Sequence, residues 1–506
     1  MQWHEAISFG IASPSTFPAR VSAFAEAVAR RQACDDIKPE ILKRFFSILL
    51  ILVASSCATY YQSNFTFNQE FENGQLDKAY KTLQQHSSQA HGKKEFLYFV
   101  NNGLVLSMMG RYADSNDFFE KAFLFGEDYR TNYLNEAASY LTNPNFTSYK
   151  GEDHEHLLLL YYKALNYLKL NQTDDALVEI RRLNIRLQQL SDRYQSTQKY
   201  EHDGFINILM GITYEVDKDY NNAFIAYRNA LAIYNDDYQQ LFGVYAPPQL
   251  KEDLLRTAWL SGLKNEFETY KASLQMPDYV YKPNEGGELV FFWHNGLAPV
   301  KTEWGVDFVI SRQGGFVYFT NEQLGLSFPF SMEGYSEKQT NGLANLDVFR
   351  VAFPKYIERL PYYSRATISI HGDALSLQLI EDVNKIAFKC LQERMGHEFA
   401  KALLRVALKK VEEYEVKKQD RTLGSIIGVI NALTEKADTR NWQTLPNSIY
   451  YCRVPMNEGQ STLTFNTKTP DGKTTEHPYT YTVKKGQILF HTFSSLESNY
   501  PSYGSY

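Results

Sequence analysis

The chain has 506 residues, of which 44% are apolar and 22% are charged, as is ordinary for a globular protein. Its formal net charge of −6 excludes the basic footprint that nucleic-acid binding requires, so no nucleic-acid partner is predicted. Aromatic residues make up 15% of the chain, which indicates aromatic-rich cores or interfaces and leaves sugar-stacking surfaces as an alternative.

A short apolar run near residue 50 predicts export. Lys43-Arg44 precede ten mostly apolar residues, 45–54, and the small residues Ser55-Ser56 follow before Cys57. A charged pair, a short apolar core and small residues form a secretory signal, and this run is shorter than the roughly 20 residues that span a bilayer. The stretch before Cys57 resembles the lipobox of bacterial lipoproteins, with Ala54 where Leu is usual. The resemblance implies cleavage before Cys57 and lipid attachment to it; a buried core segment is the alternative.

The position of this signal predicts that translation starts downstream of the first methionine, because signals stand at an N-terminus. Leu42 directly precedes the charged pair, and a leucine codon can start translation in bacteria. We therefore interpret 1–42 as an upstream extension, 43–56 as the signal peptide and 57–67 as a tether. The residues just after Cys57 carry no acidic charge, which by resemblance to lipoprotein sorting rules indicates an outer-membrane location facing the periplasm.

Residues 68–275 follow a helical pattern that repeats at about 34 residues, the period of the tetratricopeptide motif. In that motif a small residue on helix A lets helix B pack closely, and Ala and aromatic residues on helix B fill the groove. The best matches are Gly103, Gly110, Tyr112, Phe119 and Ala122 in one repeat, and Gly211, Tyr214, Tyr220, Ala223, Tyr227 and Ala230 in another. The spacing between repeats is uneven, so we expect insertions. We predict that the groove binds protein partners and that Asn102, Asn207 and Thr213 line it.

Beyond Pro277, Pro283 and Gly286-Gly287 the hydrophobic period changes to two, which predicts strands. Strands are predicted at 288–293, 306–311, 315–320, 346–352, 366–371 and 448–454. A hairpin at 461–467 and 479–483 is expected to take a third strand at 487–493. Helices are predicted at 378–394, 397–418 and 421–436.

These elements predict an α+β fold with two domains. An all-α tetratricopeptide-like helical repeat domain at 68–275 is followed by a β-sandwich-like domain at 286–494. A helical insertion at 378–436 interrupts the second domain, and 495–506 form a tail.

Two segments of the C-terminal half resemble a known family. They are Gly296-Leu297-Ala298-Pro299-Val300-Lys301 and Ala437-Asp438-Thr439-Arg440-Asn441-Trp442-Gln443-Thr444-Leu445-Pro446. They resemble a bacterial lipoprotein family that has N-terminal tetratricopeptide-like repeats and a β-rich C-terminal domain, and no activity is established for that family. The resemblance implies this architecture for nearly all of the chain after Cys57.

Asp438, Arg440 and Trp442 are interpreted as a structural motif, in which a carboxylate and a guanidinium pin the chain as it enters a strand. Catalysis by the charged pair is the alternative. Cys390 and Cys452 are either a disulfide, which export permits, or two separate buried thiols.

A search for catalytic and metal-binding motifs gives no strong candidate. His154-Glu155-His156 is predicted to be exposed between helices and lacks the i, i+4 spacing of a zinc-binding helix; His397-Glu398 has no second histidine. No nucleophile elbow, P-loop or dinucleotide fingerprint is present, so we predict no cofactor, no metal and no enzymatic activity.

The sequence therefore predicts a cell-envelope lipoprotein that serves as a protein-binding or assembly scaffold through its helical repeats. The alternative is a carbohydrate-binding or carbohydrate-cleaving envelope protein that uses exposed aromatic residues such as Trp293, Trp304 and Trp442.

Overall fold

The computed structural model describes residues 59–131, 147–193, 202–313, 315–323, 326–331, 348–393 and 437–499, together with 395, 402, 403 and 406. The predicted extension, the signal peptide, Cys57, His397-Glu398, most of the helices predicted at 397–436 and the end of the tail lie outside these residues. In the part of the chain that is described, no helix is both long and apolar enough to cross a membrane.

The chain divides into two compact units. One contains Gly305–Phe353 and Ala400–Lys436, and the other contains Thr59–Trp304, Pro354–Phe399 and the chain from Ala437 onward. This division differs from the predicted one, because the helical repeats and most of the β-rich half belong to the same unit and share one core.

The helices begin at the N-terminal end of the described chain. They are α1 Tyr60–Ser63, α2 Phe65–Glu72, α3 Leu76–Gln85, α4 Glu95–Met108, α5 Tyr112–Thr131, α6 Asp153–Lys169, α7 Thr173–Arg193, α8 Gly204–Val216, α9 Tyr220–Ile233, α10 Gln239–Phe242, α11 Pro248–Leu260, α12 Lys264–Ser273 and α13 383–393. The predicted tether at 57–67 is wrong over most of its length: it contains α1 and the start of α2, and Tyr60 and Tyr61 are buried.

Five helical hairpins, α2/α3, α4/α5, α6/α7, α8/α9 and α11/α12, are built around the same turn. Each turn has one left-handed residue with φ between 59° and 77°: Gly74, Gly110, Asn171, Lys218 and Gly262. In every case that residue's amide bonds the carbonyl three residues back, and the next amide bonds the carbonyl five residues back. This pair of bonds is the Schellman motif, which satisfies the last carbonyls of the first helix and turns the chain into the second.

The helices of a hairpin approach closely where the sequence predicts it. A methyl group on Gly211 of α8 would lie 2.4 Å from the ring of Tyr227 on α9, and one on Gly103 of α4 would lie 2.6 Å from the ring of Phe119 on α5. Glycine is therefore required at both positions, because no side-chain atom fits between these helices. This geometry makes the hairpins tetratricopeptide-like repeats.

The strands follow the predicted order. They are β1 Gly287–Asn295, β2 Val300–Gln313, β3 Phe316–Asn321, β4 Leu326–Ser331, β5 Val348–Ile357, β6 Leu360–Pro361, β7 Arg365–Ile370, β8 Asp373–Ser376, β9 Gln378–Glu381, β10 Ser448–Met456, β11 Gly459–Lys468, β12 Thr474–Val483, β13 Ile488–Ser495 and β14 Ser498–Asn499. The helix predicted at 378–394 is corrected at its start, where 378–381 form β9 beside β10.

In the larger unit two four-stranded sheets pack face to face. The central sheet has the order β13-β1-β10-β9, and the outer sheet has the order β12-β11-β7-β8. Leu289, Phe291 and Trp293 of β1 pack with residues of β7 and β11 between the sheets. Alternate residues of β1, Val290 and Phe292, point to the other face and join the core of the helices. The unit thus has three layers: the helices, the central sheet and the outer sheet.

The place of β13 corrects the prediction of a three-stranded hairpin. β11 and β12 pair as predicted, but β13 leaves that sheet and pairs in parallel with β1, with Phe291 opposite His491. Cys390 and Cys452 are buried in different core clusters and form no disulfide with each other.

The smaller unit contains the sheet β4-β3-β2-β5, to which β2 and β5 contribute most of their residues. Its described core residues are aromatic and aliphatic, namely Val306, Phe308, Val317, Phe319, Val351, Phe353, Ala402, Leu403 and Val406.

Candidate binding site on the helical repeats

Residues 437–447, here called the internal segment, lie against the first helices of the hairpins. The amide of Trp442 donates to Oε1 of Glu155 on α6 at 2.6 Å. The hydroxyl of Thr444 donates to Oδ1 of Asn101 on α4 at 2.8 Å. At the N-terminal end, the amide of Tyr60 donates to Oγ1 of Thr439 at 3.0 Å. Helices α4 and α6 and the start of α1 therefore bind a segment of the same chain.

Trp442 anchors the internal segment in the helical core. Its side chain is fully buried. Its ring lies 6.0 Å from that of Phe119 on α5 and 6.2 Å from that of Tyr162 on α6, measured between centroids. A buried tryptophan removes a large apolar area from water, and aromatic contacts at these distances add to that stabilisation.

Arg440 fixes the segment by charge and by hydrogen bonds. Its guanidinium bonds both carboxylate oxygens of Asp438, at 2.8 and 2.7 Å. It also donates to the carbonyls of Lys93 at 2.8 Å and Thr147 at 2.9 Å. The arginine thus connects the segment to two loops between helices. These contacts favour the structural interpretation of Asp438 and Arg440 over a catalytic one.

Two further cations hold neighbouring connections of the chain. Lys301 is buried, pairs with Glu152 at the start of α6, and lies 5.3 Å from the ring centroid of Tyr356. Arg359 is buried and pairs with Glu72 of α2 at 2.9 Å. Arg359 also donates to the carbonyl of Ala298 at 2.7 Å and to that of Gln443.

Lys301, Arg359 and Arg440 thus lie on three segments, here called connections. They are 298–304, which includes the start of β2, 354–361, which includes the end of β5 and all of β6, and 437–447. Removing one member of a buried ion pair is costly because the partner charge is left without compensation.

Glu155 is a buried carboxyl group that accepts three hydrogen bonds at this site. It accepts from the amide of Trp442, from the hydroxyl of Tyr149 at 2.8 Å and from the amide of Glu152 at 2.9 Å. Burial, and then the charge of Glu152, raise the pKa of Glu155 to about 7, although the Trp442 amide and Lys301 favour the charged form.

A second ionic cluster joins the helices to the central sheet. Glu215 of α8 pairs with Arg256 of α11 at 2.9 Å and with Arg453 of β10 at 2.5 Å. Asp253 pairs with Arg256 at 2.7 Å and accepts from the hydroxyl of Tyr451 at 3.0 Å. Burial raises the pKa of Glu215 to about 7, and the charge of Arg256 opposes that shift. Sequence reasoning does not find this cluster, because its members are far apart in the chain.

The residues predicted to line an open groove are buried. Asn102 and Thr213 are fully buried, and Asn207 is 9% exposed. Their side chains donate to the carbonyls of Tyr98, Leu209 and Asp203 on their own helices. The prediction that these positions are accessible is wrong, because all three residues are buried and Asn102 also accepts a 2.7 Å hydrogen bond from Gln84 of α3.

Two other expectations about exposure are corrected. His154, Glu155 and His156 are buried in the first turn of α6, where Glu152 and Glu155 form the capping box. Trp293 is fully buried, as is Trp442, and only Trp304 of the three predicted tryptophans is partly exposed. A sugar-stacking surface built on the three tryptophans therefore has no support.

Comparison with known proteins gives similarity of structure alone. No protein-family model matches the chain, and no curated protein matches it. Several solved structures are similar to part of it, and three of them illustrate the similarity. BtubC (BKLC) from P. vanneervenii has 14% identity and a TM-score of 0.31, over 53% of this chain and 96% of that one.

The second structure contains kinesin light chain nearly identical TPR-like repeats from Podosopora anserina, with 12% identity and a TM-score of 0.27, over 43% of this chain and 97% of that one. The third is a tetratricopeptide repeat protein from Parabacteroides merdae ATCC 43184, with 12% identity and a TM-score of 0.20, over 44% of this chain and 80% of that one. The hairpin geometry itself defines the class: a protein of tetratricopeptide-like helical repeats packed on a two-sheet sandwich.

Proposed function

We propose that this chain is a membrane-anchored lipoprotein of the cell envelope that serves as a protein-binding scaffold. The main support for the proposal is that helices of the repeats, α4 and α6, bind the internal segment. The repeats bind the internal segment through Trp442, Thr444 and Arg440, so they act first within the chain. Helical repeats suit this task, because they present an extended surface to an extended segment.

The helices also bind the three connections, 298–304, 354–361 and 437–447, and the positions of these connections in the chain indicate a role for the binding. The connection 298–304 leads directly into the smaller unit, 354–361 follows its first part, and 437–447 follows its second part. Each carries one buried cation that is bound by helical residues or by loops between helices. The helical layer thereby binds all three connections, which lie within the larger unit.

A partner protein then binds surfaces that the internal segment leaves free. Exposed apolar side chains are the candidates, since burying them on association is favourable. Ile185 on α7 is 54% exposed, Trp259 on α11 is 52% exposed, and Val309 on β2 is 52% exposed.

A photo-crosslinking experiment in cells tests the binding role. A photoreactive residue is placed at Ile185, Trp259 or Val309, and at the buried Asn102 as the matched control. We expect protein crosslinks from at least one exposed position and none from Asn102. Crosslinks confined to Asn102 would place the partner on the helical face and contradict the proposal, as would an absence of crosslinks in a protein that is functional in cells.

The anchor is tested separately. The first described helix starts at Tyr60, close to Cys57 in the sequence, so a lipid on Cys57 would hold the folded body close to the bilayer surface. Two or more acyl chains make such attachment durable, at about 0.8 kcal/mol for each buried methylene. Cys57→Ala should move the protein out of the membrane fraction or leave it uncleaved, and Cys390→Ala is the matched control. An unmodified Cys57 in the intact mass of the wild type would overturn the anchor.

A further inference from the structure

Among the described residues, the two sheets of the larger unit end in four edge strands. β8 and β9 have four residues each, and such short edges offer little to another strand. β12 and β13 are the other two edges, with ten and eight residues. They lie on the same side of the sandwich, because the ring centroids of Tyr479 and His491 are 4.4 Å apart. Only these two edges are long enough to pair with a further strand.

The two long edges differ in their protection. Proteins protect strand edges with proline or charged side chains, because free backbone groups otherwise bind other strands. β12 has both, since Pro478 in its middle has no N–H to donate and Glu476 carries a charge. β13 has no proline, lysine, arginine or carboxylate. Its one titratable group, His491, is uncharged at neutral pH, because burial, and then the charge of Lys169, lower its pKa to about 4.

Half of the backbone groups of β13 point away from β1. In a parallel pair, alternate residues of each strand bond the neighbour. The amide of Glu288 donates to the carbonyl of Gln487, and the amide of Gly296 donates to that of Ser495, so the odd-numbered residues of β13 face β1. The outward residues are Ile488, Phe490, Thr492 and Ser494. In the part of the chain that the structure describes, no hydrogen bond reaches their N–H and C=O groups.

Positive charge lies along this free edge. Lys169, the last residue of α6, donates to Oγ1 of Thr492, and the ring of Tyr112 lies 4.9 Å from its nitrogen. Lys484 and Lys485 are exposed just before β13. None of these three lysines forms an ion pair with a described carboxylate. The charge of the edge therefore complements an acidic partner.

We propose that β13 binds an extended, acidic segment of another protein, which adds a fifth strand to the central sheet. The outward backbone groups of β13 supply the hydrogen bonds. An acidic side chain opposite Thr492 lies within reach of Lys169, because opposite side chains of paired strands are about 5 Å apart. A second copy of this chain fits less well, since pairing of β13 with itself brings the same cations of both copies to one edge.

Hydrogen exchange of the free, unmutated chain tests whether the edge is open. The amides of Leu489 and His491 bond to β1 and should exchange slowly, whereas those of Phe490 and Thr492 should exchange at least about tenfold faster. Equal protection of the two sets would show that the edge is already covered and would overturn the proposal. Protection of the outward amides that increases with protein concentration would assign the edge to a second copy and would also overturn it.

A library of random twelve-residue peptides, selected on the full chain, tests the kind of partner. We expect the enriched peptides to alternate apolar and polar residues and to contain Asp or Glu, and we expect them to protect the amide of Phe490. Thr492→Pro removes one outward N–H and should weaken binding at least about tenfold. The matched control is Thr482→Pro on β12, which has the same orientation as Pro478 and should leave binding unchanged. Lys169→Glu should weaken binding of the acidic peptides by about tenfold or more.

The outcomes separate this proposal from the scaffold role on which it rests. It is overturned if no peptide is enriched, if enriched peptides leave exchange at Phe490 unchanged, or if they bind Lys169→Glu as tightly as the wild type. Protection of Phe490 is read on the unmutated protein, so it decides the case even if Thr492→Pro does not fold. Crosslinks at Ile185, Trp259 or Val309 without peptide binding at β13 would support the scaffold and overturn this inference alone.

Discussion

The amide of Trp442 donates a 2.6 Å hydrogen bond to the carboxylate of Glu155, a residue 287 positions earlier in the chain. This bond connects the internal segment to the first turn of α6, and the buried Trp442 ring packs beside it against the helices. Tetratricopeptide-like helices commonly bind another molecule. Here helices α4 and α6 bind a segment of the same chain instead.

Trp442→Ala should destabilise the protein by about 3–5 kcal/mol, because the change removes a fully buried indole and leaves a cavity among the helices. The measurement is urea unfolding followed by circular dichroism. Trp259→Ala is the control, since that indole is 52% exposed and its loss should cost about 1 kcal/mol or less. Equal losses for the two variants would show that Trp442 is not anchored in the core.

Gly211→Leu should destabilise the protein by about 1–3 kcal/mol or more, because even a methyl group at this position would lie 2.4 Å from the ring of Tyr227. Thermal unfolding measures the effect. The control is Arg228→Leu, an exposed position on α9, which should leave the melting temperature nearly unchanged. An unchanged melting temperature for Gly211→Leu would count against the close approach of α8 and α9.

Lys301→Met should cost about 3–5 kcal/mol, because it leaves the buried Glu152 without its cation. The double variant Lys301→Met with Glu152→Gln should recover part of that loss, since neither charge is then buried alone. A double-mutant cycle in urea supplies the coupling energy. If the two losses simply add, the pair is not coupled and Lys301 does not hold its connection through Glu152.

The contribution of Glu155 to stability should fall as the pH rises from about 5 to 7. In the folded protein the pKa of Glu155 is about 7, whereas in the unfolded chain it is near 4.3. Between these values the folded state binds a proton that the unfolded state lacks, so each rise in pH favours unfolding. The loss from one such group is at most about 1.4 kcal/mol per pH unit. Glu215 contributes with the same sign.

The check is urea unfolding at pH 5, 6 and 7 in the wild type and in Glu155→Gln. The variant cannot titrate at this position, whereas His294 and His491, whose pKa values burial lowers, contribute with the opposite sign in both proteins. The stability of the wild type relative to the variant should therefore fall as the pH rises. Glu458→Gln, at an exposed position, is the control and should keep the slope of the wild type. Equal slopes in the wild type and in Glu155→Gln would contradict the raised pKa.

The local features of the fold could be predicted from the sequence. Gly110 marks a turn and Gly211 marks a close helix contact, and both features depend on nearby residues of the sequence. Period-two patterns mark the strands β1, β10, β11 and β12. The turns of the hairpins α6/α7 and α8/α9 are harder to recognise, because Asn171 and Lys218 take the left-handed conformation that Gly takes in the other hairpins.

The long-range features could not be predicted. β13 pairs in parallel with β1, about 200 residues away, and no local pattern marks such a pairing. Arg453 and Glu215 form an ion pair across 238 positions. The exposure of Asn102 depends on what covers α4, not on α4 itself, so a polar residue on the groove side of the helix was wrongly expected to face solvent. The motif around Trp442 is visible in the sequence, but its binding site is not.

Native-state hydrogen exchange of the internal segment is the most direct test of the claim that the helical repeats bind it. If the account is correct, the amides of Trp442 and of neighbouring residues in 437–447 are protected nearly as strongly as those of β10, because opening them requires disrupting the helical core. Glu155→Ala should then accelerate exchange at Trp442 far more than exchange in β10. Exchange of 437–447 at the rate of an exposed peptide in the wild type would contradict the account and leave the helical face free for a partner.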